Sequence, residues 1–245
     1  MEILGVRIDN IIKADALEKV RHFLGGDGKH YIVTTGPEFI MAAQRDPEFK
    51  DILNASDLSL ADGFGLAIAA RRAGEKLATR IPGVDLLVEI CALAAETSQS
   101  VFLLGAKPGV AEKTAVRLIE RIPNLRIAGA ESGYRGWHKH LDDTKIVEII
   151  NRRQPDILFV AFGQVKQEKW IHRNLSRILT VKLAMGVGGS FDYLSGQVKR
   201  APVWMRIIGL EWLFRVIRQP WRAPRIITAV IRFGWAIMKT KRREV

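Results

Sequence analysis

The sequence predicts an α/β fold: a largely parallel sheet with helices on both faces, followed by a basic, Trp-rich helical tail. Strand-like and helix-like runs alternate along most of the chain, the pattern of parallel strands joined by covering helices. Several strand-like runs are continuous stretches of Val, Ile, Leu and Phe, as strands buried on both faces require. The charge is lopsided as well. Of a formal net +12, +8 falls in residues 201–245, where ten Lys and Arg stand against two Glu.

In chain order, strands are expected at residues 31–35, 58–61, 101–105, 125–129, 157–163 and 181–187. Helices are expected at 37–45, 63–73, 84–96, 109–121, 142–153 and 167–176. Gly105-Ala106-Lys107-Pro108-Gly109 falls at a strand-to-helix turn, where helix-terminal N–H groups suit a phosphate or the turn is simply tight. The tail reads as an amphipathic helix over 202–217, then a break at Pro220 and Pro224, then a second helix over 225–239.

Composition excludes several classes. The 245 residues are 48% hydrophobic and 26% charged, with 21 Gly and 9 Pro, which excludes disorder, collagen and coiled coil. A single cysteine, Cys91, excludes an intramolecular disulfide framework and points to a reducing compartment. Five His and one Cys disfavour a structural zinc site. No apolar run reaches the roughly 18 residues of a membrane span, and residues 1–9 are no signal peptide. A cytoplasmic chain is expected unless something tethers it.

Three segments concentrate chemistry. Asp62 follows a predicted buried strand, within Leu60-Ala61-Asp62-Gly63-Phe64-Gly65. It either caps the next helix or faces a ligand at the carboxyl edge of the sheet. Gly163-Gln164-Val165-Lys166-Gln167-Glu168 crowds amides and charges at another strand end, as a ligand site or as a capping cluster at a helix start. Gly186-Val187-Gly188-Gly189-Ser190-Phe191-Asp192, with a basic turn through Lys199 and Arg200, suits a diphosphate or sugar, or is an empty glycine-rich loop.

These segments belong to an ordered set: LADGFG, RIPGVDLL, FLLGAKPGVAEK, GQVKQEKWI, MGVGGSFDYLSGQVKRAP and GLEWLFRVIRQPWR. The set resembles the WecG/TagA/CpsF family, glycosyltransferase family 26, over about residues 3–222. The resemblance implies a Rossmann-like core over residues 1–200 and a C-terminal appendage over 201–245. It implies an inverting transferase, without metal or other cofactor, that moves a sugar from a UDP-sugar to a polyprenyl-diphosphate-linked sugar. Such enzymes build teichoic-acid linkage units and surface polysaccharides, and N-acetylmannosamine or a related hexose is the expected donor sugar. Asp62 is then the general base and Arg80 orients the leaving diphosphate or the acceptor. Thr34 and Gln167 supply polar contacts, while Arg215, Arg218 and Arg222 reach over the site from the appendage.

Two positions depart from the family pattern. Gly36 stands where an amide is expected to touch substrate, which leaves the donor sugar open. Val165 stands where Pro is usual, a change expected to alter only loop stiffness.

The chemistry is consistent on its own terms. Inverting transfer needs a base for the acceptor hydroxyl and stabilisation of the departing diphosphate. Metal-dependent transferases use an Asp-x-Asp motif, and none occurs here. Adjacent Asp142 and Asp143 read as a helix start. Arginine, suited to bidentate phosphate contacts, is abundant instead.

The tail also carries four of the six tryptophans. Trp, Phe and Ile beside Arg232, Lys241, Arg242 and Arg243 suit a helix lying in the interface of an anionic membrane. The expectation is a peripheral protein on the inner membrane face; the competing view packs the tail on the body or on another subunit, and a homo-oligomer is compatible with either. A nucleic-acid binder is disfavoured because the base excess sits in an apolar tail without a recognisable motif. A non-catalytic nucleotide-sugar or polyanion-binding module is disfavoured by Asp62 and Arg80, and a Rossmann dehydrogenase by the lack of a glycine fingerprint.

Overall fold

The computed structural model describes residues 1–132, 134–135, 139–140 and 142–240, with backbone alone at 134, 135, 139, 140, 222 and 225. All six expected strands form. They are β1 (His30–Thr35), β2 (Leu58–Ala61), β3 (Ser100–Gly105), β4 (Arg126–Glu131), β5 (Ile157–Ala161) and β6 (Leu183–Gly186). They hydrogen-bond in the order β2-β1-β6-β5-β3-β4, every neighbouring pair parallel.

Side-chain alternation divides the strands between two cores. Val33, Phe102, Val160 and Ala184 face one core, together with helices Pro37–Ala43, Pro47–Asn54, Phe64–Ala73, Asp143–Arg153 and Lys166–Asn174. Ile32, Leu60, Phe159 and Met185 face the other, with helices Lys13–Gly25, Gly83–Glu96 and Val110–Arg121. This is the Rossmann-like arrangement expected. Asp142 caps the helix Asp143–Arg153, its Oδ1 accepting from the Thr144 N–H at 3.1 Å, so the adjacent acids do start a helix.

Topology marks a candidate edge. The connection leaving β3 runs outward to β4, whereas that leaving β5 runs the other way to β6. Their carboxyl ends flank a switch point, where open α/β sheets bind ligands.

The tail departs from its expected form. Instead of one helix over 202–217 there are two, Val203–Ile207 and Glu211–Arg218. They break at Gly209, whose φ is +81°, and whose missing Cβ would sit 2.5 Å from Phe64 Cγ. The helix expected over 225–239 runs from Ala223 to Lys239. It lies on Pro37–Ala43 and Phe64–Ala73, with Ile226, Phe233 and Ile237 buried. Side chains of this size contribute about 1.5–3 kcal/mol each when fully buried. Arg72 closes its end, donating from Nε to the Ile237 carbonyl at 2.7 Å and from Nη2 to the Met238 carbonyl at 2.8 Å. The tail therefore packs on the body, the competing view of the sequence. Its other face stays apolar and outward: Ile227, Ile231, Trp235 and Met238 are exposed. Lys241, Arg242 and Arg243 lie outside the described residues. Among the described residues no helix is long and apolar enough to cross a membrane.

Candidate active site

Asp62 is the first residue beyond β2. Its own N–H is tied to the Thr35 carbonyl at 2.8 Å, and the next segment is anchored by the Ile81 N–H on the Ala61 carbonyl at 2.8 Å. Gly63, with φ +99° and ψ 150°, occupies a conformation open essentially to glycine alone. The chain thereby turns into helix Phe64–Ala73 without using Asp62 as its cap. The carboxylate accepts instead from the Gly83 N–H, Oδ2 at 3.3 Å, at the start of a different helix.

Burial pushes Asp62 up to about 6. The Gly83 hydrogen bond opposes that rise, the charge of Glu211 adds to it, and the charges of Arg215 and Arg200 oppose it. A carboxylate so poised is ionised at neutral pH and still basic enough to accept a proton.

Thr34, on β1, is buried, and a Cβ on Gly83 would come 2.8 Å from its Oγ1. Arg80 lies with its guanidinium 5.5 Å over the Phe64 ring. It donates to the carbonyls of Arg206 at 3.3 Å and Ile207 at 3.2 Å, so it latches the break between the two tail helices. Arg215 donates from Nε to the Tyr193 hydroxyl at 2.7 Å and stands 5.1 Å over that ring, within electrostatic reach of Asp62. Arg218 is exposed, 5.6 Å over the Phe214 ring. The side chain of Arg222 lies outside the described residues. Gln167 is buried beside β6, where its Oε1 accepts from the Gly188 N–H at 2.9 Å. Thr34, Asp62, Arg80 and Arg215 thus converge on one edge, with Gln167 two strands along.

Of the residues that bind this edge together, sequence reasoning singled out Arg200, as part of a basic turn, but not its partners Asp85 and Glu211. Arg200 forks onto Asp85, with Nη2 to Oδ2 at 2.9 Å, and reaches Glu211 at 3.1 Å. Asp85, Tyr193, Arg200 and Glu211 all lie inside the ordered motifs. Motif spacing carried no sign that they meet. A cleft of about 400 Å³ opens beside them, lined among others by Lys13, Arg80, Arg121, Tyr193 and Arg200, a size within the range of small-molecule sites.

The model of the glycosyl transferase WecG/TagA/CpsF family matches residues 1–245. The chain belongs to this family. It is 35% identical over 230 residues, 94% of this chain and 86% of the relative, to an N-acetylglucosaminyldiphosphoundecaprenol N-acetyl-β-D-mannosaminyltransferase of Bacillus subtilis strain 168. A Staphylococcus aureus MRSA252 protein of the same description is 33% identical over 245 residues, 99% of this chain and 94% of the relative. The chain is thus a glycosyltransferase of the WecG/TagA/CpsF type.

Both departures from the family pattern acquire a physical meaning. A Cβ at Gly36 would stand 2.9 Å from the Asp62 carbonyl oxygen, so glycine lets the two loops close on each other. Val165 does more than change loop stiffness. Its φ is +71° and its N–H donates to Glu168 Oε2 at 2.6 Å; proline has neither that φ nor that hydrogen.

Proposed function

We propose that this glycosyltransferase transfers N-acetylmannosamine or a related hexose from a UDP-sugar to an undecaprenyl-diphosphate-linked sugar, with inversion and without a metal, at the inner face of the membrane. The observation that carries the proposal is the half-buried Asp62 carboxylate, raised to about 6 and set among Arg215, Arg200 and Glu211. Relatives matched over nearly the whole chain are described as N-acetyl-β-D-mannosaminyltransferases of N-acetylglucosaminyldiphosphoundecaprenol, which supports the transferred sugar and the lipid-linked acceptor.

Asp62 takes the proton of the acceptor hydroxyl as its oxygen attacks the anomeric carbon from the face opposite UDP. The new C–O bond forms as the bond to the diphosphate oxygen breaks, and UDP departs with the electron pair. Preorganised cations at a leaving diphosphate stabilise the charge that develops there. Arg80 and Arg215, with Arg218 and Arg222 following from the tail, fill that role. Thr34 supplies a polar contact near Asp62. The lack of an Asp-x-Asp sequence supports the metal-free reading.

The tail supports the membrane reading. A polyprenyl chain stays in the bilayer, so the enzyme must meet its head group there. The exposed stripe Ile227, Ile231, Trp235 and Met238, with Trp204, Ile207 and Ile68 also exposed, suits insertion at the interface. Each Lys or Arg held near an anionic leaflet adds about 1 kcal/mol.

The test is a panel of UDP-sugars with a short-chain polyprenyl-diphosphate-GlcNAc acceptor, with and without EDTA. Turnover with UDP-N-acetylmannosamine that survives chelation is expected. Loss of activity with EDTA would overturn the metal-free mechanism, and no turnover with any UDP-sugar would overturn the donor assignment.

A further inference from the structure

Gln167 and Glu168 open helix Lys166–Asn174 and are almost wholly enclosed, at 2% and 1% exposure. Their side chains form a relay between two loops at the sheet edge. The Val165 N–H donates to Glu168 Oε2 at 2.6 Å. Gln167 Nε2 donates to Glu168 Oε1 at 2.6 Å. The Gly188 N–H donates to Gln167 Oε1 at 2.9 Å. The packing leaves no slack, because a Cβ on Gly186 would come 2.5 Å from Glu168 Oε1 and 2.6 Å from Gln167 Nε2.

The hydrogen bonds have a fixed polarity. Both ends of the relay are backbone N–H groups, which only donate. The Gly188 donor obliges Gln167 to present its oxygen there and its NH₂ towards Glu168. Glu168 then faces two donors in the relay and accepts with both oxygens; the ionised carboxylate does so with no hydrogen of its own to place, whereas the protonated acid brings an O–H for which the relay offers no acceptor. A Gln at 168 satisfies Val165 with its oxygen and turns an NH₂ on the NH₂ of Gln167. Flipping Gln167 merely moves the conflict to Gly188. An unmet polar group at such a buried place costs about 1–3 kcal/mol.

We propose that Glu168 is a positioning residue of the transfer reaction: through Gln167 it fixes the loop from Gly186 to Ser190 against the end of β5, in the form that receives the sugar nucleotide. This rests on the reading above that the carboxyl edge of the sheet holds the UDP-sugar. Gln167 is then a link in the relay, and the loop is what meets the donor. Burial pushes Glu168 up to about 7, against the hydrogen bonds from Gln167 and Val165. The Tyr31 phenol on β1, which couples to its charge, is itself raised well above 10 and stays neutral.

Polarity gives a rescue that bulk and burial do not. In the double variant Gln167→Glu with Glu168→Gln, the amide at 168 accepts from Val165 and donates to the carboxylate at 167. That carboxylate also accepts from Gly188, so every donor regains an acceptor.

The experiment compares the wild-type chain, Glu168→Gln and the exchanged double variant by amide hydrogen exchange at Gly188 and by kcat/KM for the UDP-sugar. Glu168→Gln is expected to lose Gly188 protection and to lower donor kcat/KM on the order of 10²-fold, the scale of an ångström-level misplacement, with acceptor KM unchanged. The double variant is expected to restore protection and at least tenfold of the rate. Wild-type protection and rate in Glu168→Gln would overturn the proposal, as would restored protection without recovered rate. If the wild-type chain turns over no UDP-sugar, the proposed function fails; Gly188 protection unaltered in Glu168→Gln would then overturn the relay, and its loss and rescue would uphold it.

Discussion

The Gly83 amide donates to Asp62 Oδ2 at 3.3 Å, so the carboxylate that ends β2 is aimed by the start of a helix that lies beyond an intervening one. Asp62→Asn keeps the shape and an acceptor oxygen for Gly83 while removing the base. Turnover is expected to fall 10²- to 10⁴-fold, with UDP affinity retained in calorimetry. The same substitution removes a charge that the fold holds at a disadvantage, so thermal unfolding should shift upward, by on the order of 1–3 kcal/mol. Activity near wild type, or a fall in Tm, would count against the role and the environment respectively.

Activity and stability should run in opposite directions with pH. Asp62 is raised to about 6 and Glu168 to about 7, and both are needed ionised. Donor kcat/KM is therefore expected to fall as pH drops from about 7.5 through 6. The folded state holds these two protons more tightly than the unfolded chain, so their contribution to stability is present at low pH and lost as pH rises towards 7. A Tm higher at pH 5.5 than at pH 7.5, beside lower turnover, is the expected pair of readings.

Gly36→Ala should injure the site through the backbone. Its Cβ would press within 2.9 Å of the Asp62 carbonyl oxygen, and relief requires moving the loop that carries the base. A loss of about 1–3 kcal/mol in stability is expected from overpacking, with a drop in kcat and little change in acceptor KM. Denaturant unfolding and steady-state kinetics on one preparation read both.

The two faces of helix Ala223–Lys239 should respond differently. Ile231→Glu and Trp235→Glu alter exposed positions and are expected to keep the wild-type Tm. They should lose flotation with anionic liposomes and turnover of long-chain acceptor while retaining turnover of a soluble short-chain one. Phe233→Ala, in the core, should cost about 3–5 kcal/mol. Flotation unaffected by both glutamates would remove the membrane role of this stripe.

Much of the fold was legible because most of the strands are short, largely apolar runs, a local signal, although β4 is partly exposed and carries Arg126 and Glu131 at its ends. The six strands appear where those runs are, within a few residues at the ends. Helices Lys13–Gly25 and Pro47–Asn54 were passed over, although Asp46 followed by Pro47 is a readable helix start; the Asp46 side chain accepts from Phe49 at 3.1 Å. In the tail, continuous amphipathicity concealed the break at Gly209, which is set by the Phe64 ring rather than by neighbours in sequence. The site shows the same division. Asp62 stands out at a strand end, but Arg200 meeting Asp85 and Glu211 is a contact between distant segments. The Glu168 relay depends on hydrogen-bond polarity, which residue type alone does not display.

The seat of helix Ala223–Lys239 on Pro37–Ala43 joins two segments translated far apart in time. The first βα unit emerges from the ribosome early, with its apolar flank bare. The helix that covers it is made only after the whole sheet has been synthesised. Arg80, likewise early, finds its carbonyl partners at Arg206 and Ile207 only then. A nascent chain can assemble its sheet before helix Ala223–Lys239 reaches the first βα unit, so the cover of that flank and the apolar stripe proposed to meet the bilayer arrive together.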